Sequence, residues 1–124
     1  MKDPSSPVCQ TISELLSRIG DKWSVLVVST LADGSKRFNE LRREIPSVSQ
    51  RMLTLTLRNL ERDGLVSRKV TPSIPPRVDY ALTDLGHSLQ TPITALTQWA
   101  MDNVGTIHAA QDRYDAELDA RDAA

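Results

Sequence analysis

Residues 49–65 read SQRMLTLTLRNLERDGL, and their periodicity decides the fold. Ser49 is a good N-cap, and Val48 before it can staple onto Leu53. Gly64 suits the left-handed position just past a helix that closes at Asp63, with Leu65 folding back onto Leu60. With Gln50 set at zero and about 100° per residue, Thr54 falls at about 40°, Arg58 at 80°, Arg51 at 100° and Arg62 at 120°. Leu55, Met52, Leu60, Leu53 and Leu57 take the arc from about 140° to 340°, which also holds Thr56. The helix therefore has a mostly aliphatic back and a polar front that carries three arginines.

Beyond Gly64 the period changes. Leu65–Val70 and Val78–Leu82 are short β-rich runs, the second alternating Val78, Tyr80 and Leu82 on one face. They flank TPSIPPR at 71–77, whose prolines Pro72, Pro75 and Pro76 fit a hairpin loop rather than a central strand.

Before the central helix, Ile12, Leu15, Leu16 and Ile19 mark a first helix from Cys9 to Gly20. A second runs from Lys22 to Ala32 with Trp23, Leu26, Val27 and Leu31 inward, and DGS at 33–35 is a turn. Phe38, Leu41 and Ile45 mark a short third helix stopped by Pro46. After the hairpin, Thr83 caps a long helical region carrying Leu85, Leu89, Ile93, Leu96, Ala100, Val104 and Ile107. Pro92 either kinks it or restarts it with Thr91 as cap. The order predicts a mainly α (α+β) winged helix-turn-helix with a two-stranded β wing and a long C-terminal dimerisation helix. Residues 1–8 read as a flexible lead-in, 9–107 as the folded domain, and the acidic, alanine-rich 108–124 as a frayed or disordered tail.

Composition agrees with one globular domain: 124 residues, 40% hydrophobic and 25% charged. The longest unbroken apolar run is Val25 to Val28, too short for a membrane span, and MKDPSSP lacks the apolar core of a secretory leader. The expected setting is the cytoplasm. Net charge is −1, but its distribution is uneven. Residues 36–77 carry ten Lys/Arg against four Asp/Glu, whereas 81–124 carry two against seven. A basic middle with an acidic tail suggests a polyanionic partner, and the front of the central helix suits the major groove of double-stranded DNA.

On that reading Ser49, Gln50, Arg51, Thr54 and Arg58 form the DNA-facing turns. Gln50 and Thr54 offer hydrogen bonds to bases, and Arg51 or Arg58 can fork onto guanine or grip phosphate. The wing adds Lys69, Ser73 and Arg77, with Arg68 beside them, and its prolines reduce the entropy lost on docking. Lys36 and Arg37, at the head of the third helix, form a phosphate anchor.

These stretches resemble the HxlR family of bacterial winged-helix transcription regulators, a branch near the MarR regulators. The resemblance runs from Cys9 to about Met101. It rests on the lone cysteine ahead of the first helix, IGDKWSVLVVSTL at 19–31, RFNELRREIPSVSQRMLTLTLRNLERDGLVSR at 37–68, PPRVDYALTDLGHSL at 75–89, and Trp99. It implies a homodimer joined through the first and last helices on a palindromic operator, with half-sites about one helical turn apart. By position the interface would draw on Ile12, Leu16, Leu89, Ile93, Leu96, Trp99, Ala100 and Val104. Cys9 matches a cysteine that some members use to sense electrophiles or oxidants, and a helix N-terminus is a setting in which thiols become reactive. The alternative for Cys9 is a small buried hydrophobe beside Ile12 and Leu16. Asp21 stands where many members carry glycine.

Three other readings compete. Catalysis has little to work with: His87 and His108 are the only histidines, and no metal-ligand spacing or phosphate-binding glycine loop occurs, so no cofactor or metal is expected. A winged helix used only for protein–protein assembly would not need the basic front. A small-molecule effector at the dimer seam, lined by Trp23, Tyr80, Trp99 and Met101, is compatible with DNA binding.

Overall fold

The computed structural model describes residues 6–123. Helices α1 (Pro7–Ile19), α2 (Lys22–Thr30), α3 (Phe38–Glu44) and α4 (Gln50–Arg62) are followed by strands β1 (Val66–Thr71) and β2 (Arg77–Leu82). Helices α5 (Asp84–Ser88) and α6 (Gln90–Ala123) complete the order. One compact unit runs up to Gln90, and a second begins at Thr91. No helix among the described residues is long and apolar enough to cross a membrane.

The first helix opens two residues earlier than its apolar spacing indicates. Ser6 caps it by accepting the Cys9 N–H at 3.1 Å, and Pro7 occupies the first turn, where its missing N–H costs nothing. Pro7 and Val8 therefore belong to α1; the start of the expected lead-in, 1–5, lies outside the described residues.

In α2 the inward set is Ser24, Val27, Val28 and Leu31, not the expected Trp23 and Leu26. Ser24 takes a core position because its hydroxyl and N–H both bond to the Asp21 carboxylate at the cap. That choice turns Leu26 outward, 39% exposed, and leaves Trp23 half-buried with the Lys22 ammonium 4.4 Å from its ring centre. The last residues expected in this helix, Leu31 and Ala32, wind instead into a 3-10 turn ending at Asp33.

The same effect appears in α4. Ser49 accepts the Met52 N–H at 3.0 Å, and the buried stripe is Leu53, Thr56, Leu57 and Leu60. Thr56 is tolerated there because its hydroxyl donates to the Met52 carbonyl at 2.8 Å. The aliphatic back is thus narrower than the helical wheel implies, and Met52 and Leu55 stand in solvent.

The helix ends in a Schellman turn: Gly64 lies at φ 78°, its N–H bonds to the Glu61 carbonyl at 3.0 Å, and the Leu65 N–H bonds to the Leu60 carbonyl at 2.9 Å. Strands β1 and β2 pair antiparallel from Val66 opposite Leu82 to Thr71 opposite Arg77. On the other edge of β2, Lys36 and Tyr80 exchange two backbone bonds of 2.8 and 2.9 Å.

Thr83 caps α5, accepting the Gly86 N–H at 3.1 Å. The expected continuous helix breaks at Leu89, and neither sequence alternative places the break there: Thr91 and Pro92 both lie within the first turn of α6. The 108–124 segment, expected to fray, continues α6 as far as Ala123.

Gly86 is buried, and a Cβ there would strike the Leu65 carbonyl oxygen, whereas one at Gly105 in α6 meets nothing within 4 Å. Gly86→Ala should therefore cost about 1–3 kcal/mol or more by overpacking. Gly105→Ala should be neutral or stabilise by roughly 0.5–1 kcal/mol. Urea unfolding of the two variants checks this, and equal midpoints would refute the close approach of α5 to Leu65.

Candidate nucleic-acid interface

Gln50, Arg51, Leu55 and Arg58 are exposed on α4 and, with half-buried Thr54, line one shallow depression. No salt bridge within 4 Å ties Arg51, Arg58 or Arg62 among the described residues. The Thr54 hydroxyl donates to the Gln50 carbonyl at 2.9 Å, so Thr54 presents lone pairs and a methyl group rather than a donor. Ser49 is likewise occupied as the cap. The front of the helix thus offers one amide, two unpaired guanidinium forks and an unexpected leucine.

The two faces of the wing differ. Arg68 opposes Tyr80, and both join Thr54, Leu57, Arg58 and Glu61 around a cleft between α4 and the sheet. Lys69 lies on the other face opposite Asp79, which also accepts from the Arg77 Nε at 3.1 Å. Asp79 therefore offsets part of the positive charge of Lys69 and Arg77. The Ser73 hydroxyl donates to the Pro75 carbonyl at 2.7 Å and so stiffens the loop. Arg68 is the residue that the sequence reading underuses. Strand alternation carries the signal, since Arg68 lies two residues from buried Val66 on the same face.

Lys36 and Arg37 separate. The Lys36 ammonium lies 3.2 Å from the Glu44 carboxylate and its backbone joins Tyr80, so it fastens α3 to the wing. The Arg37 N–H is taken by the Glu40 carboxylate at 3.1 Å, while its side chain shares a groove with Phe38, Asn39, Arg43 and Pro76. The expected anchor of backbone N–H groups plus a basic pair is reduced to the Arg37 guanidinium, with Arg43 as a neighbour the sequence reading did not assign.

Cys9 is 8% exposed. The helix that bears it is tied to the end of α4 by Arg18, whose Nη1 lies 2.7 Å from the Asp63 carboxylate. Leu16 on α1 is exposed and Ile12 half-buried; Leu89 is half-buried between α5 and α6. On α6, Ile93, Leu96, Ala100, Val104, Ile107, Tyr114 and Leu118 fall within an arc of about 80°, Trp99 stands about 60° beyond its edge, and most are well exposed. Met101 lies about 200° from Trp99, so within one protomer the two face opposite sides of α6. Tyr80 faces the cleft beside α4 instead.

The match to known proteins runs through these elements. Residues 18–108 match the model of the HxlR-like helix-turn-helix proteins. The chain belongs to that family. It is 41% identical over 107 residues to the HTH-type transcriptional regulator YdeP of Bacillus subtilis, covering 84% of each chain. Among solved structures it is similar to the redox regulator HypR in its reduced form, with a TM-score of 0.74 and 41% identity over 80% of this chain and 98% of that one. The oxidised form of HypR gives 0.68 and 44% over 75% and 96%. This HxlR-like chain is a transcriptional regulator with a helix-turn-helix, and its winged architecture is that of its relatives.

Asp63 sits at the C-cap of α4, where the helix dipole disfavours a carboxylate, and Arg18 offsets that cost. Because the side chains are 30% and 16% exposed, Arg18→Ala should cost about 1–2 kcal/mol, between the surface and buried extremes. Asp63→Asn in the Arg18→Ala background should recover part of it. A double-mutant cycle with no coupling would show that the pair does not hold α1 to α4.

Proposed function

We propose that this regulator binds double-stranded DNA as a homodimer, placing α4 of each protomer in the major groove of a palindromic operator. The observation that carries the reading is the front of α4, where Arg51 and Arg58 stand exposed beside Gln50 with no salt bridge among the described residues, three arginines outnumbering the single acid of that arc, Glu61. Arginines held by carboxylates would lose part of their attraction for phosphate or guanine; Arg51 and Arg58 have no carboxylate within 4 Å among the described residues. A 13-residue helix is about 20 Å long, enough for its N-terminal turns to meet base edges. Gln50 and Arg51 read bases, Arg58 reads or anchors, and Thr54 accepts. Arg37, Lys69 and Arg77 grip backbone, with Ser73 shaping the loop between the last two. Arg68 holds the phosphate that runs between α4 and the wing. Lys36 serves by fixing the wing to α3.

The second protomer covers the apolar faces that one chain leaves in solvent. Ile93, Leu96, Ala100 and Val104 of α6, flanked by Trp99, would form the seam with Ile12, Leu16 and Leu89. Ile107, Tyr114 and Leu118 prolong it through the 108–123 segment. Two-fold pairing sets two copies of α4 about one helical turn apart, which is why the operator is palindromic.

A thiol response is the second reading, favoured by similarity to a redox regulator known in both oxidation states. Cys9 is the sole thiol. Oxidation would join two Cys9 sulfurs from two protomers, or one Cys9 sulfur to a small thiol, in either case with two protons and two electrons passing to the oxidant. An electrophile would instead be attacked by the Cys9 thiolate, with loss of the thiol proton and no oxidant needed. At 8% exposure Cys9 reacts only after the first turn of α1 opens, and Arg18–Asp63 carries that movement to the end of α4. If the turn does not open, Cys9 is a packing residue.

Fluorescence anisotropy on duplex DNA from upstream of its own gene, with reductant and then with diamide, tests both readings. Tight, salt-sensitive binding that diamide abolishes in the natural chain but not in Cys9→Ser is expected. Indifference to diamide retires the sensor, and no preference over random duplex in a selected library favours an assembly module. Arg51→Ala should cost about 1–3 kcal/mol and relax preference at one base position. Uniform weakening with a shallower salt slope would make it a phosphate contact. Leu96→Asp should give a monomer by sedimentation, and a dimer would refute the α6 seam.

A further inference from the structure

Leu55 is out of place. The helical wheel assigns it to the aliphatic back of α4, yet it is 50% exposed because the core stripe runs through Leu53, Thr56, Leu57 and Leu60. Single exposed leucines are common and by themselves mean nothing. This one has particular neighbours. It follows Arg51 by four residues and precedes Arg58 by three, so the two guanidiniums stand one turn before and one turn after it on the same ridge. All three line one depression with Gln50 and Thr54. Thr54 has turned its hydroxyl hydrogen to the Gln50 carbonyl, leaving its methyl group as part of the presented surface.

We propose that Leu55 is a specificity-determining residue that packs its side chain on the C5-methyl group of a thymine; this deepens the DNA-binding reading and rests on it. In the major groove the thymine methyl is the apolar feature that distinguishes one base from the others, and an aliphatic side chain flanked by phosphate- or guanine-gripping arginines is suited to recognise it. A polar residue at position 55 would be equally soluble but blind to that methyl. The consequence is a required thymine in each half-site, next to the positions that Gln50 and Arg51 read.

The test uses the full chain and a duplex selected from a randomised library, in which each thymine is replaced singly by deoxyuridine. That exchange removes one methyl group and leaves every hydrogen-bonding atom in place. Binding by the natural chain should weaken roughly threefold to fivefold at one thymine per half-site, the effect of losing one buried methyl. In Leu55→Ala the same exchange should have no effect, and that variant should keep its melting temperature because the side chain is exposed. Methyl effects of equal size in both proteins, or none at any thymine, would overturn the role of Leu55 and leave the DNA-binding reading standing. A change in sedimentation of Leu55→Ala would also overturn it, by assigning the residue to a protein contact. Failure of the library to yield any preferred sequence would instead overturn the reading on which the proposal rests.

Discussion

Leu65 meets the rest of the fold at both ends of its backbone. Its N–H bonds to the Leu60 carbonyl and closes the end of α4, and its carbonyl accepts the Thr83 N–H at 3.1 Å. The Thr83 hydroxyl donates to the neighbouring Gly64 carbonyl at 2.6 Å while accepting from Gly86, whose missing side chain lets α5 approach the Leu65 carbonyl. The carboxylate of Asp63, one residue before the glycine, takes Arg18 from α1. Helix α4, the wing and α5 are thus referred to one turn of backbone, with α1 tied on beside it. Only glycine holds φ near 78° without strain, and Gly64 is where the chain can turn from helix to strand with these carbonyls paired.

This arrangement has a functional consequence. A helix pinned at its C-terminal end and capped by Ser49 at the other presents a defined face, so Gln50, Arg51, Leu55 and Arg58 are displayed from a rigid support. The acids in the basic middle are mostly occupied elsewhere. Glu44 is taken by Lys36, Glu40 by the Arg37 N–H and Asp63 by Arg18, while Asp79 holds Arg77 at the base of the wing. Positive charge is therefore sorted: some cations fasten elements together, and those on α4 are left to meet a partner.

Much of this was legible in the chain. The two caps of α4, the hairpin around TPSIPPR and the apolar runs Leu53–Leu57–Leu60 and Leu41–Ile45 each leave a local signal, because capping and side-chain periodicity are properties of neighbouring residues. The misplaced faces of α2 and α4 share one cause. Ser24 and Thr56 are polar by type, yet both are buried because a local partner, Asp21 in one case and the Met52 carbonyl in the other, satisfies the hydroxyl. Assigning the inward faces by apolar type left Ser24 out of the buried set and put Leu26 and Leu55 into it. The division of the closing region failed for a related reason. Pro92 signals a helix start, but the short α5 ends before it, at a length set by how Thr83 and Gly86 dock on Leu65.

The amino-acid sequence alone determined the element order as far as the wing, the winged helix-turn-helix class, the polarity of α4 and the unequal distribution of charge. These follow from periodicity, caps and composition, which act over a few residues. Tertiary structure decided which cations are paired, that Cys9 is buried, that Arg68 faces α4, and that Leu55 joins the arginines instead of the core. Each of those depends on a partner distant in sequence or on the rotation of a helix against its neighbours, and a helical wheel contains neither.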